Sequence, residues 1–357
     1  MRAIDLYPSS SARPYWLAHL SPVLWLRQAF AVNRGLTLVG SLMTIALLAA
    51  LGGLAIDPQV ITGAPAWMKP AKFAISLAIY CFTLVYLLSF VRGHRRLVAV
   101  AANVTALGAA GEMLIIAGQV VRGTTSHFNF STPLDALLYE IMGGLIVVVW
   151  TMGLLIAILL LRQRQLDPVW AWALRLGILL ALVGMAVAVL MTLPTPAQLA
   201  AAQAGQKVIV MGAHSVGVPD GGPGLPLLGW STRGGDLRIP HFFGLHALQV
   251  LLALGWLLTT HRARTWLSKS QRLALVWTAG LSYLSVIGIF TWQALRGQSI
   301  VAPDGATLAA FGLSISAVVG ATVVILLRGR RSATLDHATR TLSRQSVVTL
   351  SITRENS

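Results

Sequence analysis

The sequence predicts an all-α integral membrane protein in which eight helices cross the bilayer. Its 357 residues are 56% hydrophobic and only 11% charged, whereas soluble domains carry about 25% charged residues. The mean hydropathy is +0.73. The apolar residues gather in eight runs of ~20 residues, the length needed to cross the hydrocarbon core as a helix. These runs cover roughly 35–56, 72–91, 97–121, 135–161, 169–193, 241–260, 273–295 and 306–327.

The basic residues indicate the orientation of these spans. The net charge is +16, but the arginines stand in short clusters between the spans and form no continuous basic face. This pattern excludes a nucleic-acid partner and is typical of topology signals. An even number of spans places both termini on one side, and that side holds more than twice as many Lys and Arg residues as the other. We therefore expect a multi-pass protein of the cytoplasmic (inner) membrane, with cytoplasmic N- and C-termini.

The segments outside the spans have simpler compositions. Residues 1–34 form a cytoplasmic N-terminus, in which Ser21, Pro22 and Gly35 mark the cap, first position and end of an interfacial helix. Residues 329–357 are rich in Ser, Thr and Arg and predict a flexible cytoplasmic tail.

The single cysteine, Cys81, lies within an apolar run, so the chain has neither a disulfide framework nor a cysteine-based metal site.

An internal repeat divides the spans into two parallel four-helix repeats, 35–162 and 163–328. A Gln-x-x-Arg-Gly motif ends the third span and recurs at the end of the seventh, each time followed by a proline and an aspartate. Lys72-Phe73 and His241-Phe242 begin the second and sixth spans. These matching segments occur in the same order in both halves, which predicts a duplication. Each half has an even number of spans, so the two repeats run parallel.

A long loop on the outer side, residues 194–240, joins spans five and six and has no counterpart of equal length in the first half. Its stretch from Pro219 to Asp236 is rich in turn-forming residues. A loop of this length is usually either functional or disordered. Trp230 and neighbouring leucines predict that it packs as a lid over the outer face.

Two carboxylates inside the spans are candidates for chemistry. Glu112 lies ~15 Å inside the outer end of the third span, where a charge costs ~2.5–3.5 kcal/mol, so it should face the bundle interior. Thr105 and Gln119 share its helical stripe. Glu112 is either a protonated carboxyl hydrogen-bonded to a neighbouring helix, or a proton carrier, cation site or general base. Glu140 lies about a turn and a half inside span four.

The histidines suggest a ligand or metal site at the outer end of span six. His241 and His246 are ~140° apart on a helix, so a regular helix does not bring both to one metal ion. We expect His246 to enter the site. Other metal ligands would have to come from His127, His214 or the carboxylates, and no zinc-type spacing links these residues. Haem or a divalent metal is a candidate cofactor.

The layout of two four-helix halves is similar to that of haem A synthase. The resemblance is confined to the layout, because spans three, four, seven and eight contain no histidine. The paired intramembrane histidines of that family are therefore absent from this chain.

These observations predict a polar ligand, metal or haem site in the outer half of the bundle. We predict catalytic roles for Glu112, His246 and Glu140. We predict metal-binding roles for His127, His214, His241 and His246. We predict ligand-binding roles for Lys72, Gln119, Arg122, Asp135, Gln249, Gln293, Arg296 and Asp304. The favoured function is a membrane-embedded redox or lipophilic-substrate enzyme. The alternatives are an ion-coupled small-solute transporter and a non-catalytic membrane sensor or assembly factor. The oligomeric state is not predicted.

Overall fold

The structure, a computed structural model, describes residues 21–328. The predicted tail and most of the N-terminal segment lie outside these described residues. Eight of the described helices are long and apolar enough to cross a membrane, which confirms the eight predicted spans. They are α2 (Arg34–Ile56), α3 (Met68–Leu88), α4 (Arg95–Val121), α5 (Pro133–Leu161), α6 (Pro168–Val187), α9 (Arg238–Leu258), α11 (Lys269–Leu295) and α12 (Gly305–Arg328).

Shorter elements fill the connections. The short helices are α1 (Pro22–Val32), α7 (Val189–Thr192), α8 (Pro196–Gln203) and α10 (His261–Trp266). Two antiparallel pairs of two-residue strands also form: β1 (Val60–Ile61) pairs with β2 (Ala64–Pro65), and β3 (Ser215–Val216) pairs with β4 (Gly235–Asp236).

The helix predicted before the first span is present as α1, but it ends at Val32 and not at Gly35, which lies in the first turn of α2. The Ser21 side chain accepts a hydrogen bond from the Leu24 amide, and a proline follows in the first turn. Asn33 is extended and caps α2 through its side chain, so the two helices are separate. Trp25 packs edge-on against Phe82 of α3, with ring centroids 5.1 Å apart. The location of α1 at a membrane interface stays a prediction.

Glycines set the closest helix crossing, between α6 and α9. A Cβ built on Gly244 would lie 2.2 Å from the Gly184 Cα, and one built on Gly184 would lie 2.5 Å from Gly244. In a membrane, where apolar helices gain little from leaving lipid, such small residues allow the backbone contact that holds helices together. The crossing also brings the His241 ring to the Gly184 carbonyl, with 2.8 Å between Nδ1 and O.

One end of the bundle carries the connections at residues 57–67, 122–132, 193–237 and 296–304, which include the longest one. We call it the loop-rich end. The lid, which we define as residues 194–237, packs here against the first half of the chain. The Met211 amide donates to the Phe128 carbonyl (3.0 Å), and Trp230 is only 8% exposed. The lid ends at Leu237 because α9 starts at Arg238, three residues before the predicted start of the sixth span.

The two Gln-x-x-Arg-Gly motifs fold alike. Gln119 and Gln293 each donate from the side-chain amide to a carbonyl six residues later. The glycine ending each motif has a positive φ, +73° at Gly123 and +70° at Gly297. The arginines form ion pairs with the aspartates that follow them. We call each set a motif lock. The duplication itself stays a prediction.

The start of the repeat aligns one residue away from the predicted equivalence. α3 and α9 begin at Met68 and Arg238, and each carries a proline in its first turn, Pro70 and Pro240. Aligning the prolines would put Lys72 opposite Phe242. The predicted equivalence of Lys72 and His241 stays a prediction.

Candidate functional site

Glu112 lies at the centre of the buried face of α4. It is 1% exposed, and its Oε1 has no hydrogen-bond partner within residues 21–328. The expected alternative of a carboxyl bonded to a neighbouring helix is therefore not seen at this oxygen. Lys69 is the charged residue that acts on Glu112. The fold thus buries a carboxyl group and leaves one of its oxygens unpaired.

Lys69 lies in the first turn of α3, at the loop-rich end. Glu112 is its strongest charged partner, followed by Arg238 and Asp220. Within residues 21–328, Lys69 and Glu112 form no direct ion pair. The sequence interpretation counted Lys69 only as a topology signal. Lys69 is half-buried, and its place beside Pro70, in the first turn of a span, was the available clue that it belongs to the helix.

Two histidines, His127 and His214, interact with the same lysine, and a third, His241, lies close enough to both to act on them electrostatically or be acted on by them; each ring is fixed through Nδ1. His127 Nδ1 lies 3.1 Å from the Ser126 hydroxyl, and His214 Nδ1 lies 2.7 Å from a carboxylate oxygen of Asp220. His241 Nδ1 faces the Gly184 carbonyl, which can only accept, so this nitrogen carries the proton. We call His127, His214 and His241 the histidine cluster. Fixing Nδ1 directs the chemistry of each ring to Nε2.

Burial keeps the two loop histidines of the cluster neutral. It lowers the pKa of His127 well below the usual range, and the nearby charges of Lys69, His214 and His241 lower it further. Burial also lowers the pKa of His214, although the hydrogen bond to Asp220 opposes the shift. Burial alone would raise the pKa of Asp220, but the His214 side chain and the backbone amides of His214 and Ser215 together outweigh it, and the pKa is lowered. Asp220 is thus a carboxylate that orients a neutral imidazole.

Aromatic rings enclose this polar group. Phe73 and Tyr139 lie beside His127, with ring centroids 5.6 and 6.4 Å away. Phe128 stacks edge-on with His214 at 4.9 Å. Apolar walls of this kind reduce the local dielectric and strengthen the interactions of the charges between them.

The predicted metal set is not assembled. Within residues 21–328, no group of three or more His, Cys, Asp and Glu side chains is arranged to hold a metal ion. The His246 ring packs on Phe242, with ring centroids 4.3 Å apart. The structure therefore gives the haem and metal roles no support.

The other predicted catalytic and binding residues lie in different places. Glu140 is exposed on α5, whereas Glu112 is buried. Gln249 donates to the Thr83 hydroxyl of α3 at 3.2 Å. Lys72 donates to the Leu228 carbonyl of the lid at 2.8 Å. The structure therefore does not bring Glu140 to Glu112, and it makes Lys72 an anchor of the lid.

The remaining predicted ligand-binding residues form the two motif locks. Asp135 is 3% exposed and accepts from the Arg122 guanidinium at 2.7 Å and from the Gln119 amide at 2.9 Å. Arg122 also bonds to Gln119. In the second half Arg296 pairs with Asp304, while Gln293 bonds to the Ser299 carbonyl. Their hydrogen-bonding groups are occupied within the chain, and their roles in binding a ligand stay a prediction.

Comparison with known proteins adds no relative. No protein-family model matches the chain, and neither a curated protein nor a solved structure shows significant similarity to it.

Proposed function

We propose that this chain is a membrane-embedded enzyme that acts on a lipophilic substrate by acid–base chemistry at Glu112, Lys69 and the histidine cluster. The observation that carries the proposal is the unpaired Oε1 of a glutamate that is 1% exposed. Buried polar atoms are nearly always hydrogen-bonded, and the exceptions call for a bound water, an ion or a functional role. A substrate group that donates to Glu112 answers this requirement.

Lys69 complements the carboxyl group. The two residues interact electrostatically without a direct ion pair. A substrate group that accepts from the lysine and donates to the glutamate would bridge them. In a low-dielectric site such a charged pair both binds and polarises the group between its members.

His214 has the arrangement of a general base. Asp220 accepts from its Nδ1, which fixes the tautomer and leaves the lone pair on Nε2. The lowered pKa of His214 keeps the ring neutral and able to accept a proton at neutral pH. Because both residues belong to the lid, the seated lid brings the base to the buried pair.

The second half of the chain supports a functional role for Glu112. Aligning Gln119 with Gln293 puts Val286 opposite Glu112. The motif locks are present in both halves, as expected of a scaffold, whereas the buried carboxyl is present in one. An ionisable residue in a transmembrane helix is costly, and it usually marks a functional site.

A second function, ion-coupled transport of a small solute, is favoured by one further observation. Thr105 lies one heptad beyond Glu112 on the same face, about 10 Å deeper. It is 0% exposed, and its hydroxyl has no hydrogen-bond partner within residues 21–328. A polar path that extends past Glu112 fits a carrier in which this glutamate binds the proton.

The redox form of the proposal is tested on the purified protein. An absorption spectrum with a Soret band, or a stoichiometric metal content, would favour haem or metal chemistry over acid–base chemistry at this site. We expect a colourless, metal-free protein.

The enzymatic proposal is tested by comparing lipid extracts. Membranes are prepared from cells producing the wild type, Glu112→Gln or Glu140→Gln, and the extracts are compared by mass spectrometry. Glu140→Gln is a matched control because it makes the same change at an exposed position. We expect one lipophilic compound to be converted in the wild type and the control but not in Glu112→Gln. Unchanged extracts, with proton-coupled uptake into liposomes that depends on Glu112, would favour the transporter instead.

A further inference from the structure

A pocket of about 360 Å³ lies at the end of the bundle opposite the loop-rich end. It is lined by Thr260, Arg262, Ala263 and Trp266, which belong to α10 and its cap. The α9 helix begins at the loop-rich end and ends at Leu258, just before the pocket. Glu112 lies in the half of α4 that is nearer the loop-rich end. The pocket is therefore separate from the Glu112 site.

One side chain in the lining has hydrogen-bond donors to spare. The Thr260 hydroxyl is already used, because it accepts from the Ala263 amide and donates to the Leu257 carbonyl. The Arg262 guanidinium is exposed and makes no hydrogen bond or ion pair within residues 21–328. Its N–H groups form a fixed fork that matches two oxygens of a phosphate. The pocket thus offers an unused phosphate-binding group.

Two further arginines add positive charge beside the pocket. Arg264 donates to the Thr259 carbonyl and Arg272 to the Leu258 carbonyl, each at 3.1 Å. Arg272 is only 7% exposed, yet in the described part of the chain it pairs with no carboxylate and its Nε has no partner. Asp167 lies 4.0 Å from Arg264 and balances one charge at most. A buried cation without a counter-ion is costly, so this region favours an anion.

Exposed tryptophans place the pocket at the level of the lipid headgroups. Trp266, which lines the pocket, is 79% exposed. Trp256 and Leu257, in the last turn of α9, are also exposed. Tryptophan is enriched where the hydrocarbon core meets the headgroups, and α9 is one of the eight candidate spans. A pocket that directly follows the end of this span is within reach of a lipid phosphate.

We propose that the pocket binds the headgroup of an anionic phospholipid such as phosphatidylglycerol. Arg262 donates two hydrogen bonds to phosphate oxygens, and Trp266 packs against the glycerol backbone. The acyl chains follow the exposed side of α9 at Trp256 and Leu257. The net positive charge of the region favours an anionic lipid over a zwitterionic one. The proposal is independent of the acid–base function proposed for Glu112.

The test is a lipid titration of the purified full-length protein in detergent, with the first bound lipid measured by native mass spectrometry. Phosphatidylglycerol should bind about tenfold more tightly than phosphatidylcholine with the same acyl chains. Arg262→Ala should weaken the binding of phosphatidylglycerol about tenfold and remove most of this preference. The Arg262 side chain makes no contact that the fold needs, so the variant should unfold at the same temperature as the wild type.

Arg164→Ala is the matched control. It removes the same charge from an exposed position at the same end of the bundle, in the link between α5 and α6, and Arg164 does not line the pocket. This variant should bind phosphatidylglycerol within twofold of the wild type.

Three results would overturn the proposal. Equal affinity of the wild type for the two lipids would show that the lipid charge is not recognised. Equal losses in Arg262→Ala and Arg164→Ala would show that the lipid responds to the overall charge of this end and not to the pocket. Displacement of phosphatidylglycerol by an equal concentration of glycerol 3-phosphate would show that the site takes a soluble phosphate and has no use for acyl chains.

Discussion

Gly244→Ala should destabilise the protein far more than an alanine at a helical glycine usually does. The new methyl group would lie 2.2 Å from the Gly184 Cα, whereas ordinary contacts begin at 3.4 Å. The backbone of α6 meets it, so no side chain can move aside. The helices must separate by more than about 1 Å.

That separation also reaches the histidine cluster. The hydrogen bond from His241 to the Gly184 carbonyl is 2.8 Å long, and an extra ~1 Å takes it past the ~3.5 Å at which such a bond is lost. Overpacking costs ~1–3 kcal/mol, and the lost hydrogen bond adds ~1 kcal/mol. The free energy of unfolding should therefore fall by ~2–4 kcal/mol.

The assay is reversible unfolding in detergent, with Gly288→Ala as the matched control. A Cβ on Gly288 of α11 meets nothing within 4 Å. This variant should be neutral or stabilised by up to ~1 kcal/mol, because alanine favours helix more than glycine does. Nitrogen NMR of labelled histidine should show the Nδ1 proton of His241 losing its acceptor in Gly244→Ala alone. Equal stability of the two variants would refute the view that the glycine contact holds α6 and α9 together.

Three further predictions concern pH and topology. Burial lowers the pKa of His127, which lies next to the lid contact at Phe128. The stability of the lid should therefore be greatest above the ordinary histidine pKa of ~6.5 and should fall as the pH drops below it. Hydrogen exchange of the lid amides measures this stability, and its pH dependence should be weaker in His127→Gln. The hydrogen bond from Arg296 lowers the pKa of Asp304. The ion pair should therefore stabilise the fold above pH ~3.9, and this stabilisation should be lost as the pH falls through the lower pKa of the folded state. Asp304→Asn should be less stable than the wild type at neutral pH and equally stable in acid. In a Cys81→Ser background, a cysteine at Gln206 should react with an impermeant maleimide in intact cells and one at Thr265 only after lysis; the reverse result would invert the predicted orientation.

The spans could be predicted because hydropathy is a local property of the chain. Each apolar run forms its own backbone hydrogen bonds, so a membrane helix needs no distant partner to exist. The starts of α3 and α9 were placed too late because Lys69 and Arg238 were read as lying outside the spans. Pro70 and Pro240 fit the first helical turn, where a missing N–H costs nothing.

Candidate site residues could be predicted from the sequence only where one residue is unusual in its own segment of the chain. Glu112 was identified because a carboxyl in the middle of an apolar helix is costly whatever surrounds it. Asp220 was missed because its partner is set by the fold of the lid, and it was counted with turn-forming residues. The sequence also favoured His246 over His241. The contact between Gly184 and Gly244 decides which ring meets α6, and no local pattern reports it.

The energetics of the half-buried Lys69 and the buried Glu112 support a functional role for the pair. At an effective dielectric constant of 20, opposite charges attract by about 4 kcal/mol at 4 Å, and by less at the greater separation of a pair that is not in direct contact. Removing each ion from water costs several kcal/mol. The pair as it stands is therefore a net cost to folding, unlike the motif locks, whose charges are in direct contact.

This comparison leads to a prediction about the pair itself. The double variant Lys69→Met with Glu112→Gln should unfold with a free energy equal to that of the wild type or up to ~4 kcal/mol higher, because neutral side chains of similar size remove the burial cost. Lys69→Met alone removes the charge that attracts Glu112 and should be less stable than the double variant, because Glu112 must then either stay charged without its partner or take up a proton. Unfolding in detergent measures both. A double variant less stable than the wild type would mean that the pair holds the fold together, and the argument for a catalytic role would lose its energetic basis.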